Sequence, residues 1–296
     1  MKDGIYTDIS IDDYHKNSTH ISATKVKYAK KSLKLLDWYN RGLIVQEDKP
    51  HFDFGNAFEL ALLDKNEFAN RVAIMPDSKF VADALAEKPD LKVPRSSVNY
   101  KAALSKWQDA NQGKYVILDK GPTESYEAIE LMLESCYQDK IIQRLIEGTE
   151  YQLSLFWTDP ETGLKLKTRP DICKRKKNVV VNVKTTADGS PEAFNREMAK
   201  HDYPIQAAIE IEGCLQTGLM QSVDHYFWLV VEKVPPYCAT IYEFAPKDIE
   251  LYTDIIHYYF HKIRQAQKQN LWPGYSDRAD NQYGILTVEI PLWYRQ

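Results

Sequence analysis

No apolar run in these 296 residues approaches the roughly 20 needed to cross a bilayer, so a membrane-spanning role is not expected. The opening Met1-Lys2-Asp3-Gly4-Ile5 lacks the apolar stretch of a secretory leader, which points to a cytoplasmic protein. Cys136, Cys173, Cys214 and Cys238 lie far apart with no CxxC pair. That argues against a zinc site or a disulfide framework and for free thiols. A Walker-type glycine loop is missing, and so is a G-x-S-x-G elbow, so neither ATP hydrolysis by that route nor serine-hydrolase chemistry is expected. Strong charge of either sign is also absent. A net charge of −4 argues against non-specific coating of nucleic acid, although a phosphate backbone responds to local charge rather than to the total.

What is present is enough for a folded protein. Hydrophobic residues make up 44% of the chain, which supports a sizeable core. Lysines cluster at 25, 27, 30, 31 and 34, and a second basic run is Lys174-Arg175-Lys176-Lys177. Each suits either a solvated surface or a contact with phosphate. Residues 20 to 148 read as helices. One runs from an N-cap at Ser22 to about Asn40, one follows Gly55, one spans Val98 to Gln112, and one starts after Pro122. From Glu150 the pattern changes to an antiparallel meander of Glu150–Thr158, Leu164–Lys174 and Val179–Lys184. Helices at Pro191–Ala199 and Tyr203–Leu215, strands at Tyr226–Glu232 and Ala239–Phe244, and a long helix from Pro246 to about Gln269 complete the series. With no repeat and no low-complexity linker, the chain reads as one α/β (α+β) domain. It would comprise a helical elaboration over about 1–148, a core over about 149–270 and a tail over 271–296.

Period-two alternation gathers chemistry on two of these strands. Lys165, Lys167, Arg169 and Asp171 share one face of the second strand; Val180, Asn182 and Lys184 share one face of the third. A tight turn joins the two, so Asp171 can lie beside Asn182 and Lys184. Asp188 reads as the cap of the helix that follows. His257 and His261 have i, i+4 spacing but no HExxH, and read as an amphipathic helix surface.

Arg169-Pro170-Asp171 followed by Val181-Asn182-Val183-Lys184-Thr185-Thr186 resembles the PD-(D/E)XK nuclease signature, and more narrowly that of the phage and prophage exodeoxyribonuclease VIII-like family. Ile9–His15, Gly55-Asn56-Ala57-Phe58-Glu59, Gln152–Trp157, Tyr203–Ala208 and Val230–Tyr237 resemble further elements of that family in order, so the likeness covers most of residues 5 to 270. It implies a restriction-endonuclease-like core, with a mixed central sheet flanked by helices. The implied activity is exonucleolytic degradation of linear double-stranded DNA from an end, 5′ to 3′, in phage-type recombination. Mg2+, with Mn2+ as substitute, would be the cofactor, a single-strand annealing protein a partner, and a ring-shaped homo-oligomer the assembly.

By the same resemblance Glu59, Asp171, Asn182 and Val183 hold the metal, and Lys184, Asp171, Asn182 and Gln206 are the catalytic set. Lys165, Lys167, Arg169, Thr185 and Thr186 would meet DNA. Acidic oxygens suit a hard divalent cation, the cation activates water, and a lysine beside it orients that water and offsets phosphate charge. The pattern is departed from in three places. Asn182 stands where an aspartate is expected, which suggests an engineered inactive form or a natural, weakened one. Gln152 stands for a glutamate, for which Glu150 on the same face would substitute, and Glu210 for a tyrosine. The alternative function is a non-catalytic DNA-binding protein that keeps the nuclease fold.

Overall fold

The computed structural model describes residues 1–44, 50–279 and 281–290, so part of the expected tail (280 and 291–296) lies outside the described residues. The N-terminal half runs β1 (Gly4–Tyr6), α1 (Ile11–Lys16), α2 (Ala23–Lys31), α3 (Leu33–Asn40), α4 (Pro50–Leu63), α5 (Lys65–Arg71), β2 (Val72–Met75), α6 (Asp77–Glu87), α7 (Val98–Ala110), β3 (Tyr115–Leu118), α8 (Tyr126–Gln138) and α9 (Lys140–Ile146). The second half runs β4 (Glu150–Tyr151), β5 (Ser154–Thr158), β6 (Lys165–Thr168), β7 (Ile172–Lys174), β8 (Val179–Thr186), α10 (Pro191–Lys200), α11 (Tyr203–Gln216), β9 (His225–Glu232), β10 (Ala239–Glu243) and α12 (Pro246–Gln269).

A five-stranded mixed sheet in the order β10-β9-β8-β7-β4 forms the centre, with β8 parallel to β9 and antiparallel to β7. Because β8 is covered on both faces, its valines do not alternate between core and solvent. Val181 and Val183 pack with Phe54 and Phe58 of α4 and with Ile129 and Met132 of α8. Val180 packs on the other face with Phe194 of α10 and with Ala207 and Ile211 of α11. Strands buried on two faces read as continuous apolar runs, so Asn182, fully buried in the middle of β8, is the exception in that strand. The likeness-based expectation of a mixed sheet flanked by helices is met.

Three sequence expectations change. The single helix over 22–40 is two, because Ser32 is extended (φ −169°, ψ 149°) and its hydroxyl caps α3 by accepting from Leu35 N at 3.1 Å. A parallel pair, β2 with β3, lies within the region read as helical. Most consequentially, the strands expected at 150–158 and 164–174 both break at one level. Gln152 takes a left-handed conformation (φ 51°), and Pro170, which has no N–H to give a ladder, interrupts the other. On one side of the break β5 lies between β1 and β6 in a separate three-stranded sheet, while on the other β4 and β7 belong to the central one. Gln152 N donates to the Asp171 carbonyl across this seam at 3.0 Å.

Helix α11 bridges both sheets. Ile205, Ala208 and Ile209 join a core of Val26, Leu36, Trp157, Leu166, Ile256 and Phe260, while Ala207, Ile211 and Cys214 join the core beneath the central sheet. Its approach depends on Gly213, where an added Cβ would lie 2.6 Å from Thr168 Cγ2 and 3.0 Å from the buried Trp157 ring. In an unhindered helix, Gly→Ala gains about 1 kcal/mol; overpacking a tight core costs roughly 1–3 kcal/mol. Gly213→Ala should therefore lower the melting temperature by a few degrees, measured by calorimetry. A rise would show that α11 has room to give.

Candidate active site

The seam between the sheets opens into a cavity of about 650 Å³ whose lining includes Glu59, Gln152, Arg169, Asp171, Gln206 and Glu210. Asp171 follows Pro170 and directly precedes β7. Its neighbour Ile172 faces Val181 in the β7–β8 register, which leaves Asp171 level with Asn182 and within reach of Val183 N, whose proton its Oδ2 accepts at 2.7 Å. The turn that closes this hairpin has Asn178 in the left-handed conformation (φ 54°), which asparagine tolerates. The juxtaposition of Asp171 and Asn182 expected from strand pairing is present.

Glu59 arrives from α4, on one side of the central sheet. Its Oε1 accepts from Gln152 Nε2 at 2.9 Å, and Gln152 Oε1 in turn accepts from Arg169 Nη2 at 3.3 Å. Arg169 is fixed by donating through Nη1 to the Ile9 carbonyl and to Ser154 Oγ. Glu210 arrives from α11, on the other side, and is 1% exposed. Its Oε1 accepts from Gln206 Nε2 at 2.8 Å and from Asn182 Nδ2 at 3.3 Å, and its Oε2 from Tyr226 Oη at 2.7 Å. Lys184 Nζ donates to Gln206 Oε1 at 3.4 Å and lies 4.8 Å from the centre of the Tyr203 ring. Asn182 and Lys184 are not in the cavity wall; they reach it through Glu210 and Gln206.

Charge is concentrated here. Burial, followed by repulsion from Asp171, pushes the carboxyls of Glu59 and Glu210 each up to about 8. Burial also raises Asp171, against the pull of Lys184, the Val183 N–H and Arg169. The oxygen Oδ1 of Asn182 is buried without a hydrogen-bond partner, a condition that costs about 1–3 kcal/mol unless a ligand relieves it. Among the described residues no group of three His, Cys, Asp or Glu is arranged to hold a metal by itself. Any cation here would have to draw on mixed oxygens, such as Asp171 with the free Asn182 amide oxygen. The acidic, oxygen-rich donor set and that orphaned oxygen fit a hard divalent ion.

Of the other expected residues, Lys167 also lines the cavity and the rest are dispersed. Lys167 is buried, with Nζ held by the carbonyls of Tyr14 at 2.5 Å and Asn17 at 2.7 Å, and burial brings it down to about 8. Lys165 is exposed on β6 and is not among the cavity residues, and Thr185 is half-buried beside Gly55. Thr186 is buried, its hydroxyl donating to Glu197 Oε2. Glu150 does not stand in for Gln152: it pairs with Arg175 at 2.6 Å, because the left-handed Gln152 breaks the strand in which the two would share a face. Ser190, not Asp188, caps α10 by accepting from Ala193 N. His257 and His261 face separate acids, Glu212 and Glu161. Of the basic cluster on α2, Lys25 and Lys27 line the cavity while donating to the carbonyls of Ser18 and His201. Glu210 is the residue whose place sequence reasoning missed; its signal was its spacing of one helical turn from Gln206.

No helix among the described residues is long and apolar enough to cross a membrane. No curated protein matches the chain. Among solved structures, it is similar to a "putative exonuclease" from Eubacterium rectale, with a TM-score of 0.56 and 11% identity over 97% of each chain, a likeness of fold. A phage-related exonuclease from Haemophilus somnus 129PT overlaps 67% of this chain and 96% of its own at 10% identity, with a TM-score of 0.30. Residues 22–283 match the family described as PDDEXK-like domain of unknown function (DUF3799), and the chain belongs to that family.

Proposed function

We propose that this protein is a metal-dependent exodeoxyribonuclease that degrades linear double-stranded DNA from an end, 5′ to 3′, in phage-type recombination. One observation carries the reading: Asp171, in the wall of a cavity that also holds Glu59 and Gln206, is level in the strand register with Asn182, whose buried amide oxygen has no hydrogen-bond partner. Polarity, end preference and the recombination setting come from the resemblance alone. By the same resemblance the protein works as a ring-shaped homo-oligomer beside a single-strand annealing protein, and light scattering that returns a monomer at working concentration excludes the ring.

In this reading Glu59, Asp171, Asn182 through Oδ1 and the Val183 carbonyl hold Mg2+, with Mn2+ as substitute. When bound, the ion lowers the pKa of water and offsets charge on the scissile phosphate. Gln206 accepts from the Lys184 ammonium and restrains it where it can orient a water or meet a phosphate oxygen. Arg169 and Gln152 form a relay that fixes the direction of Glu59. Lys25, Lys27 and Lys167 at the cavity wall add positive charge for a DNA backbone, a role Arg169 shares and in which Lys165 and Thr185 would join from outside the cavity.

End-labelled linear duplex with Mg2+ or Mn2+ tests this. Lys184→Ala should slow digestion about 100-fold or more, and Asp171→Asn should abolish it, with both variants folded by circular dichroism. Binding of duplex with no cutting under any condition would instead favour the non-catalytic binder. A second expectation concerns pH. Glu59 and Glu210 keep their protons more tightly folded than unfolded, so their contribution to stability is full below about 4.5 and is lost as pH rises towards 8. The cation-free melting temperature should fall over that window, and Glu59→Gln should flatten the fall. Mn2+ should raise the melting temperature more at pH 8.5 than at pH 6, because cation and proton compete for the same oxygens.

A further inference from the structure

Asn182 lacks the charge that a cation site wants, yet its surroundings do not lack it. Its Nδ2 donates to Glu210 Oε1, which turns Oδ1 away from that carboxylate and leaves it buried and unpaired. An aspartate at 182 would instead set a second anion about 3.3 Å from Glu210, where both side chains are buried. An amide is the group that tolerates a buried glutamate there and still offers a neutral oxygen.

Glu210 itself is unusual for a structural acid. It is 1% exposed, and no lysine or arginine forms an ion pair with it among the described residues. Its partners are three neutral donors: Gln206, Asn182 and Tyr226. Buried carboxylates held without a cation are costly and rarely kept for stability. Glu210 also lines the same cavity as Asp171 and Glu59.

We infer that Glu210 supplies, from α11, the negative charge absent at position 182, so that Asn182 and Glu210 together do the work of one acid in holding a divalent cation against Asp171. This rests on the cation site proposed above and deepens it. The oxygen on the strand and the charge on the helix have been separated, and the Asn182–Glu210 hydrogen bond holds them in register. It follows that asparagine at 182 is a functioning part of the site and not a lesion in it.

The exchange makes a reciprocal test possible. Mn2+ binding to the purified protein is measured by calorimetry or electron paramagnetic resonance at pH 8, with no DNA present. Glu210→Gln should weaken it by about 10-fold or more, and Asn182→Asp/Glu210→Gln should recover most of the loss. Asn182→Asp alone opposes two buried carboxylates, so without cation it should melt below the double variant at pH 8. Unchanged Mn2+ binding in Glu210→Gln, a loss the double variant does not recover, or the reverse melting order would each overturn the inference. Asp171→Asn keeps the two readings apart. If it loses Mn2+ while Glu210→Gln does not, the cation site stands without Glu210; if neither loses Mn2+, the site itself is misplaced.

Discussion

The structure turns on the repulsion among carboxylates brought together in the wall of one cavity. Glu59 and Glu210 are each driven up by burial and by Asp171, and fixed neighbours answer the charge only in part, through Lys184 and Arg169. Folding alone gains nothing from such a cluster: unlike a surface ion pair, it must be neutralised by protons or by a bound cation. The hydrogen-bonded supports around it make sense as parts of a device that keeps acids aimed and waiting. Gln152 restrains Glu59; Gln206, Asn182 and Tyr226 restrain Glu210; the Val183 N–H restrains Asp171.

The seam explains how those acids can meet. Helix α4 packs on one face of the central sheet and α11 on the other, and an unbroken sheet would keep their side chains apart. Where β4 gives way to β5 and β6 to β7, the sheet ends, and Asp171 sits at its lip, exposed to both helices. Pro170 and the left-handed Gln152 make that opening, while Gly213 lets α11 come close enough to use it. Local backbone irregularity and the functional constellation therefore have one cause.

Much of this is legible in the amino-acid sequence. Strand pairing across a short turn places Asp171 beside Asn182, and the family resemblance singles out Gln206 on the helix beginning at Tyr203, which the structure brings to Lys184. The opening is not legible, because period-two alternation assumes that a strand continues and does not register a single residue in the left-handed region. The same assumption puts Lys167 and Asp171 on one stripe; both do line the cavity, but the break ties Lys167 to the carbonyls of Tyr14 and Asn17. Glu210 stands out in the sequence only as a departure from a pattern. Its contact with Asn182 joins residues 28 apart and depends on how α11 lies against β8, which no local periodicity encodes.

The most direct measurement is anomalous diffraction from a crystal soaked in Mn2+ at pH 8. The expected result is a peak at coordination distance, about 2.1 Å, from the Asp171 carboxylate and from Asn182 Oδ1. A well-ordered site with no peak there, or a peak bound only elsewhere on the chain, would contradict the claim that these buried oxygens exist to hold a cation.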